Sequence, residues 1–224
     1  IYPVTLKQRF YSSDFPLLLI STCLFYFVIY TGNQITRTEG FILLVTIIAI
    51  LSYLFIYQKK SISEFSDDFD RSKISISKSF LYIIFSGFLL WLGAETLIKS
   101  AISVANKFEI SQRVISITMV AIGTSIPELA ASIVASLKKQ NDLSIGNLIG
   151  SNIFNLLVVI GITSSISPIY GIESSAIFKD MLWVVFFSVI ILPLALVGRR
   201  NVLTRKKGIM LLVLYLIFII PLIV

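Results

Sequence analysis

The sequence has no histidine, one cysteine (Cys23) and few charges, and each shortage excludes a class of protein. Without imidazole, and with a single thiol, zinc or copper sites built on nitrogen and sulfur are excluded, as is any intrachain disulfide. A hydroxyl nucleophile such as Ser125 or Ser151 would have no evident base beyond Glu128, which argues against a hydrolase. No G-x-x-x-x-G-K-[ST] run occurs, so there is no P-loop for ATP. Charged residues make up 14% of the chain and apolar ones 56%, whereas an ordinary soluble domain carries about a quarter charged.

What is present instead is a series of apolar runs at 15–36, 40–57, 79–94, 114–137, 143–163, 181–198 and 208–224. Each approaches the ~20 residues that a helix needs to cross the hydrocarbon core. Helix is the required form, because lipid offers no partner to unpaired backbone groups. Barrel strands would alternate in polarity over ~10 residues, and these runs are continuous. The expected fold is therefore all-α, a polytopic membrane bundle with seven transmembrane helices.

The basic residues segregate by side. Fourteen Lys and Arg (Lys7 and Arg9, five from Lys59 to Lys78, Lys138 and Lys139, five from Arg199 to Lys207) fall in loops on one face; Arg37, Lys107, Arg113 and Lys179 fall on the other. By the positive-inside rule, residue 1 lies on the cytoplasmic side and the C-terminus outside. The net charge of +7 is thus a topology signal. Membrane lipids, and no nucleic acid, are the expected surroundings.

The beginning of the chain recurs near its end. Ile1, Pro3 and Val4 reappear as Ile166, Pro168 and Ile169, Asp14 as Asp180, and Thr36, Arg37 and Gly40 as Thr204, Arg205 and Gly208. One period holds five spans, an odd number, so successive copies lie inverted in the membrane, a plan recurrent in secondary transporters. Residues 1–57 are then the last two helices of a first repeat, 58–78 a cytoplasmic linker and 79–224 a complete second repeat. Three further spans of the same protein are expected ahead of residue 1, in a longer inverted-repeat bundle of ten helices.

The span 114–137 carries one charge, Glu128, near its centre. A carboxylate at that depth costs about 3 kcal/mol on insertion scales, which makes a functional role the default. Pro127 has no N–H to give to Gly123 and is expected to kink or break the helix there. Ser125, Glu128 and Ser132 share a face. On the next span Asn147, Ser151 and Asn155 recur at i, i+4 and i+8, a polar stripe; Gly146 and Gly150 are expected to permit close helix approach. Asn147 and Asn152 also suit hydrogen bonding between helices. These spans offer only oxygen ligands, which suit sodium, calcium or magnesium. Glu95 is followed by Lys99 at i+4 and is expected to be paired. The run Glu64, Asp67, Asp68 and Asp70 reads as a solvated linker, since its spacing is not that of an EF-hand.

The segment AIGTSIPELAASIVASLKKQNDLSIGNLIGSNIFNLLVVIG, residues 121–161, resembles the second alpha-repeat of the sodium/calcium exchanger family, within the calcium:cation antiporter superfamily. GTSIPE and GNLIGSNIFN stand in the family's order and spacing. The resemblance implies a ten-helix fold of two inverted halves, of which this chain holds helices four to ten. It implies exchange of calcium for sodium by alternating access in a prokaryotic plasma membrane, with no enzyme activity and no cofactor. It makes Glu128 the principal ion ligand, joined by Thr124, Ser125, Ser151 and Asn155. Some members have Asp at the position of Asn155, which leaves ion stoichiometry and potassium involvement open here; exchange of calcium for protons is the nearest alternative. A passive cation channel is a further, more distant alternative.

Overall fold

A computed structural model describes residues 3–57, 76–108, 121–172, 179–198 and 201–223. The acidic run from Glu64 to Asp70, the basic residues Lys59, Lys60, Arg71, Lys73, Arg113, Arg199 and Arg200, and positions 114–120 of the fourth apolar run lie outside the described residues. Seven helices carry the described fold: α1 (Phe10–Tyr30), α2 (Arg37–Tyr57), α3 (Ile76–Lys107), α4 (Ala121–Leu137), α5 (Asn141–Ile166), α6 (Met181–Leu196) and α7 (Arg205–Ile223). Two short strands, β1 (Val4–Thr5) and β2 (Val202–Leu203), pair antiparallel. By length and composition, α1, α2, α3 and α5 can each cross a bilayer. Their outward faces carry large apolar side chains, such as Phe41 and Val45 on α2 and Ile83 and Trp91 on α3.

Boundaries follow local chemistry. The first helix ends at Tyr30, six residues before the end of its apolar run, because Asn33 takes a left-handed conformation (φ 51°) in the turn that follows. Asn tolerates that region better than other residues with a Cβ. The second helix starts on a capping box: Thr36 N–H and Oγ1–H both donate to Glu39 Oε2 at 2.7 Å, and Glu39 N–H points back to Thr36 Oγ1 at 3.4 Å. Two orphan donors at the helix start are satisfied in this way.

Helix α1 lies at the centre, against α2, α5 and α6, and Phe15, Leu18, Phe25 and Val28 supply much of the buried core. Helix α2 packs along the second half of α5 at glycine contacts. A Cβ on Gly40 would overlap Ser164 Oγ and Ser165 N, and one on Gly161 would meet Leu44 Cγ at 3.0 Å. Helix α3 meets α4 where Gly123 is packed against Ile98. Helix α7 leans on α6 through aromatic rings, with Trp183 and Phe218 centroids 5.5 Å apart.

Contacts at the two ends of α1 come in matched pairs. Leu6 N–H donates to Asn201 O at 2.8 Å, and Ile172 N–H donates to Asn33 O at 3.1 Å. Val4 pairs with Leu203, and Ile35 bridges Ile169. Adding the sequence offset of 165 to 168 converts Val4, Leu6, Asn33 and Ile35 into Ile169, Ile172, Asn201 and Leu203, so the same contacts are made once at each end. Asn201 also repeats the positive φ of Asn33, at 59°. Thr22 Oγ1 and Ser188 Oγ, 166 residues apart, meet at 3.4 Å between α1 and α6. Two positions related by the offset touch each other only near an axis of two-fold symmetry, and here α1 and α6 cross.

The loops also sort by end. Lys7 pairs with Asp142 at 2.6 Å and Tyr11 Oη donates to Asn201 Oδ1 at 2.9 Å, which joins the start of α1 and the loop before it to the first turn of α5 and the loop before α7. At the opposite end Arg37 reaches Ile166 O at 3.4 Å.

Candidate ion-binding site

Helices α4 and α5 run side by side after a turn in which Lys139 takes positive φ (59°), and this hairpin brings the acid to the polar stripe. A cavity of about 500 Å³ opens between them, with one side chain of α3, Leu90, on its rim. Pro127, Glu128 and Ala131 line it from α4; Gly146, Asn147, Gly150, Ser151, Phe154 and Asn155 line it from α5. Three of the five predicted ligands, Glu128, Ser151 and Asn155, therefore share one space. The other two, Thr124 and Ser125, are exposed on the turn before Pro127 and do not line this cavity.

Glu128 is half-buried, and its Oε2 is fully buried with no hydrogen-bond donor among the described residues. A buried carboxylate oxygen without a partner is costly, because folding strips its water and returns nothing. Such an oxygen, on a side chain that lines a cavity with amide and hydroxyl groups, suits a cation. The neighbouring chemistry is uncharged, since Glu128 is the one charged side chain among the residues that line the cavity. A cation here would meet one carboxylate and the amide and hydroxyl oxygens of α5.

The second wall changes its helical period at Asn155. Asn155 opens one π-helical turn, residues 155–159, closed by Ile160 N–H on Asn155 O. A π-turn inserts an extra residue into the helix and re-aims the side chains that follow, and such turns concentrate at functional positions. Ser151 Oγ donates to Leu148 O at 3.3 Å, a long bond, and Asn152 Nδ2 donates to Leu148 O at 2.7 Å within its own helix. Asn152 thus serves its own backbone, and Asn147 reaches across: its Nδ2 donates to Glu128 O at 3.1 Å and to Ser132 Oγ at 3.0 Å. Ser144 Oγ adds a bond to Ser132 O at 3.3 Å.

Two expectations need correction. Helix α4 does not break at Pro127, since residues 121–137 stay helical on both sides of it. One missing N–H removes a single rung, and the turns on either side hold their own bonds. Gly146 and Gly150 do not mediate close helix contact, because a Cβ on either would meet nothing within 4 Å. They leave the cavity wall open, and Gly40 and Gly161 make the tight approach. Glu95 is paired as its spacing predicts, with Lys99 Nζ 3.1 Å from Oε1. Asn147 stands outside the predicted ligand set although its i, i+4, i+8 spacing with Ser151 and Asn155 placed it on the same stripe.

Comparison with known proteins agrees with this architecture. The family model described as sodium/calcium exchanger protein matches residues 78–224. CaxA of Alkalimonas amylolytica is 29% identical over 221 residues, which cover 96% of this chain and 68% of that protein. The sodium/calcium exchanger MaX1 of Methanosarcina acetivorans is 43% identical over 93 residues, covering 42% of this chain and 27% of MaX1. In fold, the chain is similar to the sodium-calcium exchanger NCX_Mj, with a TM-score of 0.72 at 24% identity over 96% of this chain and 66% of that one.

Proposed function

The chain belongs to the sodium/calcium exchanger protein family, integral membrane transporters, and from that premise we propose that it is part of an antiporter exchanging calcium for sodium by alternating access. The observation that carries the proposal is Glu128, which lines one cavity with Ser151 and Asn155 and whose Oε2 is buried without a donor among the described residues. The ion is seated on Glu128, Ser151 and Asn155. Thr124 and Ser125 contribute from the turn before Pro127, where their exposure leaves them accessible to an ion. Calcium takes six to eight oxygens, more than these two helices provide, so the rest of the set comes from an inverted counterpart of 79–165 ahead of residue 1. The matched contacts at the two ends of α1 support that division of the chain into parts of two repeats joined by the 58–78 linker.

Exchange follows from electrostatics. A bare carboxylate in a low-dielectric site costs several kcal/mol, so the loaded transporter crosses between its two open states more readily than the empty one. That asymmetry couples the flux of one cation to the counter-flux of another. The chain start lies on the cytoplasmic side of a prokaryotic plasma membrane in this reading, which is supported by the excess of Lys and Arg on that face.

The test is calcium uptake into vesicles that contain the full-length protein and are loaded with sodium. Stranding a buried charge by removing its partner costs about 3–5 kcal/mol, so Glu128→Gln should lower exchange by at least a hundredfold, at ~1.4 kcal/mol per factor of ten. Undiminished flux in Glu128→Gln removes this residue from the mechanism. Calcium uptake that ignores sodium and follows an imposed pH gradient assigns the coupling to protons. Uptake that needs no counter-ion and does not saturate identifies a channel.

A further inference from the structure

We infer that Asn147 is a positioning residue that sets where Glu128 stands relative to Ser151 and Asn155. This inference rests on the ion site proposed above and deepens it.

The amide of Asn147 has two N–H bonds, and both are used on α4: one reaches Glu128 O at 3.1 Å and the other Ser132 Oγ at 3.0 Å. A carbonyl oxygen can only accept, so turning the amide over would set Oδ1 against Glu128 O, two acceptors face to face. The planar group is therefore held in one orientation. Ser144, one turn earlier on α5, secures the same stretch of α4 through Ser132 O at 3.3 Å. Three cross-helix bonds thus converge on residues 128–132.

That stretch lies directly after Pro127, which gives no N–H to the turn before it. Of the Glu128 carboxylate, Oε2 has no donor among the described residues to hold it. Its position is dictated by its own backbone, and the backbone carbonyl is what Asn147 grips. Asn147 in turn sits on the same helix face as Ser151 and Asn155, one and two turns before them, so its two bonds hold the gap between the two walls of the cavity where Glu128 stands. Without it the ligands all remain and their separation is no longer fixed. The expected signature is weaker ion affinity in a protein that still folds and still turns over.

Four variants of the full-length protein test this in vesicles, with KM and maximal rate for calcium read separately and thermal stability measured in detergent. Loss of a partner that orients a metal ligand costs ten- to a hundredfold in affinity, so Asn147→Ala should raise the KM for calcium about tenfold or more. Asn147→Asp has nearly the same shape and no N–H to give, and should behave like Asn147→Ala. Were Asn147 instead an ion ligand, the added negative charge would keep or tighten calcium binding, which overturns the inference. Ser132→Ala removes one of the two anchors and should raise KM by a smaller factor, and Ser132→Thr, which restores the hydroxyl, should recover most of that loss. A purely structural role predicts lower melting temperatures with an unchanged KM in the folded fraction, and that result also overturns it. If neither Asn147 variant yields folded protein, equal KM values for Ser132→Ala and Ser132→Thr are the disproof. Failure of the ion site itself looks different: no sodium-driven exchange in the parent protein, or full exchange in Glu128→Gln.

Discussion

Two glycine-to-alanine substitutions of identical chemistry should have opposite effects, and the magnitudes follow from what surrounds each glycine. Gly40, in the first turn of α2, faces Ser164 and Ser165 so closely that an added Cβ would overlap a hydroxyl oxygen and lie 2.8 Å from the backbone nitrogen of Ser165. Neither serine can yield easily. Ser164 is fully buried with its Oγ bonded to Ile160 O at 2.7 Å, Ser165 Oγ is bonded to Gly161 O at 2.7 Å, and the nitrogen belongs to the helix itself. Overpacking of this kind costs roughly 1–3 kcal/mol, and the better helix propensity of alanine returns at most ~1 kcal/mol. The net loss, up to about 2 kcal/mol, lowers the melting temperature of a protein this size by up to roughly 8 °C. Gly150 meets nothing within 4 Å, so Gly150→Ala keeps the propensity gain and should melt at or slightly above the parent temperature. Its methyl group projects into the cavity beside Ser151, so its cost should appear in calcium transport. The assay is thermal unfolding of both variants in detergent, followed by vesicle flux. A Gly40→Ala protein as stable as the parent would refute the tight α2–α5 contact, and a Gly150→Ala protein that loses stability would refute the open wall.

Topology and the second deep acid give two more tests. With Cys23 replaced by serine, single cysteines at Lys7 and Lys138 should react with a membrane-impermeant maleimide from one face only, and cysteines at Arg37 and Tyr170 from the other. Labelling of Lys7 and Arg37 positions from the same side contradicts the path of α1 across the bilayer. Glu95→Gln breaks an ion pair whose side chains are 40% and 74% exposed, and pairs of that kind are worth about 0–1 kcal/mol. Calcium exchange should stay within about twofold of the parent, so an inactive Glu95→Gln protein would bring this acid into the ion path.

Features that depend on near neighbours in the chain are legible in the amino-acid sequence. The apolar runs mark the helices because burial in lipid requires every backbone group to be paired within the segment. The Glu95 and Lys99 pair is one helical turn long, and the stripe of Asn147, Ser151 and Asn155 follows from the helical period alone. The lone acid beside Pro127 stands out because charge at bilayer depth is expensive. The first helix stops at a polar stretch, Thr31, Gly32, Asn33 and Gln34, that a count of charges alone passes over in the run 15–36. There the chain leaves the helix to pair with Ile169 and Ile172, more than 130 residues away.

Local sequence, then, determined that the chain spans a membrane and which two helices carry the candidate oxygen donors. Tertiary structure decided the rest: that Gly40 and Gly161 are contact points while Gly146 and Gly150 open a cavity, that Thr124 and Ser125 stand outside it, and that the Asn147 amide reaches the carbonyl of Glu128. The physical reason is the same in each case. A glycine or an amide has the same chemistry at every position, and its role is set by what lies within about 4 Å of it, the range over which packing and hydrogen bonding act.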